Sequence, residues 1–353
     1  MVSAPMDGEL GSVLKVSVAV WVAMWYARMA AVRISPGVGR LAALLPAIGL
    51  FFGTPFAFTT TAFRGCSGFI LSWLGSFKLF LLAAGRGPLD PSLPLLHFVC
   101  SASLPVKLRQ SAYRKAKNQD PASPPSAAKI LVAGAVIPFT IYTYQFKEAM
   151  SRWQLLLVTT AHFYLAMEVI LASVRAMIEG VLGMEMDPQV DRPYLASSLR
   201  DFWGRRWNLM VPAILRPSVY GPVRARFGAG AGVLASFVVS GLMHDLIYYY
   251  MMRRPPSGAI TAFFVLHGAC TVAEAWWRRH AGWWRPPRVV AVPLTLAFVA
   301  ATGLWLFIPA MWMDGLHELV LQDFQGMVGL MEQAGRWLAG AATNLRRGHW
   351  IVL

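Results

Sequence analysis

His244 and Asn208 are the side chains that could move a proton and steady a developing negative charge where water is scarce. His244 stands in Ser240-Gly241-Leu242-Met243-His244-Asp245, deep inside the apolar stretch 228–252. An ionisable residue at membrane depth is costly and is a functional-site candidate by default. A neutral imidazole can serve as a general base near physiological pH. Ser240 lies one helical turn earlier and could hydrogen-bond the ring. Asp245 is rotated by about 100° and is badly placed to orient it. The Asn208 amide can donate to an oxyanion, or hold a hydroxyl, without adding a buried charge. A base and an amide inside a membrane suit transfer of an acyl group to a lipid alcohol, with the alcohol itself as nucleophile. The other readings of a lone intramembrane histidine are a hydrogen-bond link between helices and a proton relay in a transporter.

Asn208 closes a polar run, Arg200-Asp201-Phe202-Trp203-Gly204-Arg205-Arg206-Trp207-Asn208. Its arginines, with Arg216 further on, could meet the phosphates of a coenzyme A thioester. They could equally mark a helix end, and Trp203 and Trp207 an interfacial belt. Secondary candidates are His267 and Glu274, seven residues apart and so on one helix face, and Lys78, which either snorkels or faces the interior. His162 and Glu168 are six apart and do not stack. Cys66, Cys100 and Cys270 form neither a metal pattern nor a disulfide framework. No metal site and no cofactor is expected. There is no Gly-x-Ser-x-Gly elbow, His-Glu-x-x-His zinc motif or P-loop pattern.

The elements that must position these residues are apolar. Of 353 residues, 56% are hydrophobic and 14% charged; the mean hydropathy is +0.50. A soluble domain carries roughly 25% charged residues. The expected fold is all-α, a polytopic transmembrane bundle of about eight helices in a single domain. The expected spans are 13–32, 38–58, a shorter run 68–84, 130–146, 153–178, 228–252, 259–276 and 289–311. Residues 93–104 suit a re-entrant or interfacial segment. Lys107 to Lys117 and the Pro/Ser/Ala tract ending near Ala128 read as a cytosolic loop. In 179–227, Pro188, Pro193, Pro212, Pro217 and Pro222 forbid one continuous helix, so short helices dipping into the membrane are expected. Residues 276–288 read as an interface anchor rich in Trp and Arg. From Leu316 apolar residues recur at helical spacing, which predicts an amphipathic tail lying along the membrane.

The net charge is +15. Lys and Arg sit mainly in short loops between apolar runs, as the positive-inside rule expects. They lack the interleaved aromatics of a nucleic-acid platform. Membrane lipids and an anionic thioester are the expected partners.

Asp201-Phe202-Trp203-Gly204-Arg205-Arg206-Trp207-Asn208, followed about 35 residues later by Ser240 to Asp245, closely resembles the plant wax synthase branch of the membrane-bound O-acyltransferases. Ser76-Phe77-Lys78 through Gly85-Arg86-Gly87-Pro88-Leu89, and His267-Gly268 with Glu274, are similar too. The resemblance covers roughly residues 10–310, leaving 314–353 as an unfamiliar tail. It implies an acyl-CoA donor, a long-chain alcohol acceptor, the endoplasmic reticulum membrane, His244 as general base and Asn208 as its partner. Asp245 stands where that pattern expects glutamate. A sterol-acylating relative in the same branch keeps a sterol acceptor open.

Overall fold

The computed structural model describes residues 4–104, most of 142–161, 189–280, 286–312 and scattered positions from 315 to 326. Among the described residues every regular element is helical. In hydrocarbon each peptide group must find its partner within the chain, and an apolar helix satisfies that locally.

Helix α1 is Ala4–Arg33 and α2 is Val38–Gly53, which tightens into a 3-10 turn over Thr54–Ala57. Helix α3, Thr61–Ala83, passes through a π segment at Gly68–Gly75. A short α4, Leu95–Ser103, follows. Helix α5 is Leu199–Asp201 and winds into a π turn, Phe202–Arg206. Helix α6 occupies 210–227. Helices α7, Ala229–Met252, and α8, Ala259–His280, form an antiparallel pair. Helix α9, Arg288–Met311, contains a last π turn at Gly303–Phe307.

Six of these, α1, α2 with its 3-10 turn, α3, α7, α8 and α9, are long and apolar enough to cross a membrane. The expected spans over 130–146 and 153–178 lie almost wholly outside the described residues, so six is the count among those described. The loop from Lys107, His162, Glu168, Pro188 and most of the tail are also outside them.

Bonds between helices sort the span ends into two faces. Gly37 N donates to Ala83 O and Arg40 Nη1 to Leu82 O, which joins the turn between α1 and α2 to the end of α3. At the opposite face Arg64 Nη1 donates to Met251 O and Tyr250 OH to Phe52 O. The start of α7 and the end of α8 therefore lie on the first face, with Arg33, Arg86, Arg200, Arg278 and Arg279.

One expectation is corrected. The third run is a full span, because its start at Thr61 is capped from outside its own sequence. Glu9, buried in α1, accepts from the amides of Thr59 and Thr60 at 2.6 Å each and from the Thr59 hydroxyl. Asp323 accepts from Ala62 N at 2.8 Å. Residues 189–227 are several short helical segments, as the prolines predict; Pro212 lies in the first turn of α6, and within α6 Pro217 falls in a π segment and Pro222 in the α-turns after it. At the start of the tail Leu316 is buried with Tyr248, Ile260, Phe263 and Phe264.

The α7–α8 pair is unusually close. A Cβ added at Gly241 would lie 2.8 Å from Thr261 Cα, and one added at Gly268 would lie 2.8 Å from Phe237 Cβ. Small residues let membrane helices approach to backbone contact, where dispersion and buried polar groups replace the missing hydrophobic drive. One such group is Asp245, whose Oδ2 accepts from the Thr261 hydroxyl at 2.5 Å.

Candidate active site

His244 lies on α7, roughly 22 Å from its Ala229 end at 1.5 Å per residue. Its Nδ1 is 2.7 Å from Ser240 O. A carbonyl can only accept, so Nδ1 carries the proton and Nε2 keeps its lone pair. Ser240 thus orients the ring, as expected from the sequence, and does so through its backbone carbonyl. The carbonyl one turn back in a helix points along the axis toward the ring. Asp245, as expected, is engaged elsewhere, by Thr261.

Aromatic rings surround the imidazole. Phe264 of α8 stacks on it with centroids 4.4 Å apart and planes at 28°. Trp73 of α3 meets it edge-on at 5.0 Å, and Phe307 of α9 at 6.0 Å. The ring is nevertheless only half-buried. Trp73 and Phe307 both come from π segments. A π turn widens the helix and re-aims its side chains, and such turns often accompany functional sites.

Trp203, from the third π turn, stands one ring further out. It packs on Phe264 at 5.6 Å and edge-on against Phe237 at 5.9 Å and Phe263 at 6.2 Å. Trp207 lies parallel to Phe202 at 5.8 Å and 12°. Phe264 is therefore the ring shared by the polar motif and the histidine.

The motif holds its own shape. Ser198 Oγ accepts from Asp201 N at 3.0 Å and caps α5. Asp201 is buried and bridges both arginines, with Arg205 Nε at 3.1 Å and Arg206 Nε at 2.8 Å. Burial alone would raise this carboxyl. Hydrogen bonds from Arg206 and the Ser197 amide, with the charges of Arg206 and Arg205, outweigh it and hold the group below the usual carboxylate range. Arg206 Nη1 also reaches Asp191 O and Arg192 O at 3.3 Å. Arg216 Nη2 donates to Gly204 O at 2.9 Å. Arg206 and Arg216 thus fasten the motif, while the Arg205 side chain stays 71% exposed.

Asn208 terminates the motif in a left-handed backbone conformation, φ 43°. Asparagine tolerates this region better than most residues. The backbone is clamped on either side by Asp191 N to Arg206 O and Leu209 N to Gln189 O, both 2.8 Å. Among the described residues no hydrogen bond joins Asn208 to His244.

His267 and Glu274 both face the motif from α8. Trp203 Nε1 donates to His267 Nδ1 at 3.0 Å. Glu274 accepts from Leu199 N at 3.1 Å and pairs with Arg278 at 2.8 Å. Lys78 does not join them. It is fully buried, and its Nζ donates to Ser101 O at 2.6 Å and Leu104 O at 2.7 Å, closing the free carbonyls at the end of α4. Trp73, Phe264 and Phe307, the rings around His244, are residues that the sequence reading missed. In an apolar run an aromatic that packs on the histidine has the same signature as one that faces lipid.

Residues 186–266 match the profile of the "Membrane bound O-acyl transferase family". The chain is 40% identical to the "Probable long-chain-alcohol O-fatty-acyltransferase 1" of Arabidopsis thaliana, over 90% of this chain and 96% of that protein. It is 35% identical to the "Long-chain-alcohol O-fatty-acyltransferase" of Simmondsia chinensis, over 95% and 99% of the two. It is 34% identical to the "Acyl-CoA--sterol O-acyltransferase 1" of Arabidopsis thaliana, over 89% and 94%. A multi-span helical scaffold, a deep histidine and full-length identity of this order agree: the chain belongs to the membrane-bound O-acyltransferase family, in its plant wax synthase branch.

Proposed function

We propose that this protein transfers a fatty acyl group from acyl-CoA to a long-chain fatty alcohol, giving wax ester and coenzyme A. The observation that carries this reading is His244, with Nδ1 committed to a carbonyl and Nε2 left as a base among aromatic rings at membrane depth.

The alcohol arrives laterally from the bilayer and presents its hydroxyl to Nε2. As His244 takes the proton, the alcohol oxygen forms a bond to the thioester carbonyl carbon. The tetrahedral oxyanion is met by the Asn208 amide. Collapse breaks the C–S bond, and the imidazolium returns its proton to the sulfur. The Ser240 carbonyl stabilises that imidazolium in the interval through the Nδ1–H. The basic face of the bundle is the cytosolic one under the positive-inside rule. There the exposed Arg205, paired through Nε with Asp201, turns its remaining N–H groups to the coenzyme phosphates, with Arg200, Arg278 and Arg279 around a cleft beside Glu274. The rings of Trp203 and Trp207 line the path from that face. We place the enzyme in the endoplasmic reticulum membrane.

The similarity to a sterol O-acyltransferase supports a second acceptor class. Microsomes supplied with labelled palmitoyl-CoA and equimolar hexadecanol and sterol decide between them. Wax ester is the expected product. Sterol ester alone would keep the chemistry and change the acceptor, and accumulation in sealed vesicles with no ester would replace the enzyme with a transporter.

A further inference from the structure

His267 is fully buried, and the two ring nitrogens have different partners. At Nδ1 the partner is the indole N–H of Trp203, 3.0 Å away. An indole nitrogen can only donate, so Nδ1 accepts and carries no proton. Nε2 therefore carries it and donates to Thr302 Oγ1 at 2.8 Å. The Thr302 hydroxyl in turn donates to Phe298 O at 2.6 Å. The direction of every bond is fixed by the donor at one end and the carbonyl at the other. This tautomer is the opposite of the one at His244, where Nδ1 carries the proton and Nε2 keeps its lone pair. The two intramembrane histidines of α7 and α8 are thus prepared for different work.

The chain ties three separate elements together: the π turn of the motif, α8 and α9. Its free end is the Trp203 indole, which packs on Phe264, and Phe264 is the ring stacked on His244. Seven residues along the same face of α8, Glu274 takes the Leu199 amide and fixes the start of the motif. Helix α8 therefore grips the motif at two points, and the deeper grip sets the indole.

We propose that His267, held as its Nε2–H tautomer between Thr302 and Trp203, is a positioning residue that fixes the Trp203 indole against Phe264, the ring stacked on His244. It does not exchange protons with the substrate, because both nitrogens are committed. The indole's position sets that of Phe264 and so how a lipid chain is seated beside His244. This rests on the acyltransferase reading, so its test includes a measurement that does not.

Trp203→Phe removes the donor and His267→Leu the acceptor. Each lowers kcat/KM by about five-fold, the size of one buried hydrogen bond. The double variant falls no further than the weaker single, because one link has been cut twice. All three share one altered preference among alcohols of different chain length, while His267→Asn, which keeps an acceptor toward Trp203, moves back toward the wild type. Should His267→Leu fail to accumulate, Thr302→Val, which removes the acceptor of the Nε2 proton, enters the same cycle. Independently of ester formation, the indole N–H resonance absent from Trp203→Phe identifies Trp203 in isotope-labelled protein. It shifts upfield and exchanges faster in His267→Leu or Thr302→Val. Additive losses in the cycle, or an indole signal unmoved by either variant, would overturn the proposal. Absence of ester in the wild type with the signal shift intact would instead refute the acyltransferase reading and leave the link standing.

Discussion

Replacing Asn208 by glycine separates the two reasons for an asparagine at that position. The backbone there has φ 43°. A side chain with a Cβ carries a cost of about 1–2 kcal/mol in the left-handed region, less for asparagine, which bonds locally. Glycine removes that cost but adds freedom to the unfolded chain, which offsets about 0.4–1 kcal/mol. The flanking clamps, Asp191 N to Arg206 O and Leu209 N to Gln189 O, do not use the side chain. Stability should therefore change by no more than about 1 kcal/mol. If the amide meets the oxyanion, its removal lowers kcat by about 100- to 1,000-fold. Alanine loses the same amide and adds backbone strain, so it should be as inactive and melt lower. The assay compares initial rates of ester formation at equal protein in membranes, with thermal melting of the purified variants alongside. A glycine variant that melts normally and turns over like the wild type would refute the catalytic role and leave Asn208 as a backbone residue.

Gly241→Ala places a Cβ 2.8 Å from Thr261 Cα, whereas carbon contacts are optimal at about 3.5–4.0 Å. Helices α7 and α8 must part, at a cost of about 1–3 kcal/mol. Melting temperature and turnover should fall together; a normal melting curve would show that the pair is looser than described. Lys78→Met leaves the Ser101 and Leu104 carbonyls without their donor. A stability loss of about 1–3 kcal/mol is expected, with the KM for both substrates unchanged. A variant that melts normally but loses turnover would move Lys78 into the chemistry.

The fold was legible where length and apolarity alone decide. Residues 228–252 and 289–311 have no competing description, and the structure gives Ala229–Met252 and Arg288–Met311. The start of α3 was not legible, because Glu9 and Asp323 cap it from 50 and more residues away. The π turns were equally hidden. Nothing in Phe202-Trp203-Gly204-Arg205-Arg206 distinguishes a π from an α turn.

At the site, His244 was visible because one polar residue in an apolar run stands out. Its seven-residue counterpart on α8, His267 with Glu274, was visible as a shared face but not in its role. The roles depend on which atom meets which: the carbonyl of Ser240 at His244, and the indole of Trp203 at His267. Arg206 read as a phosphate ligand because charge is apparent in a sequence, while its commitment to Asp201, Asp191 and Arg192 is not.

The most direct test compares wild type and His244→Ala at equal levels in microsomes from yeast that lacks neutral-lipid synthesis. Each receives labelled palmitoyl-CoA and hexadecanol, and the esters are resolved. Labelled wax ester from the wild type alone, with the variant folded and inserted, is the expected result. Equal ester from both proteins would remove His244 from the chemistry and contradict the account of the site.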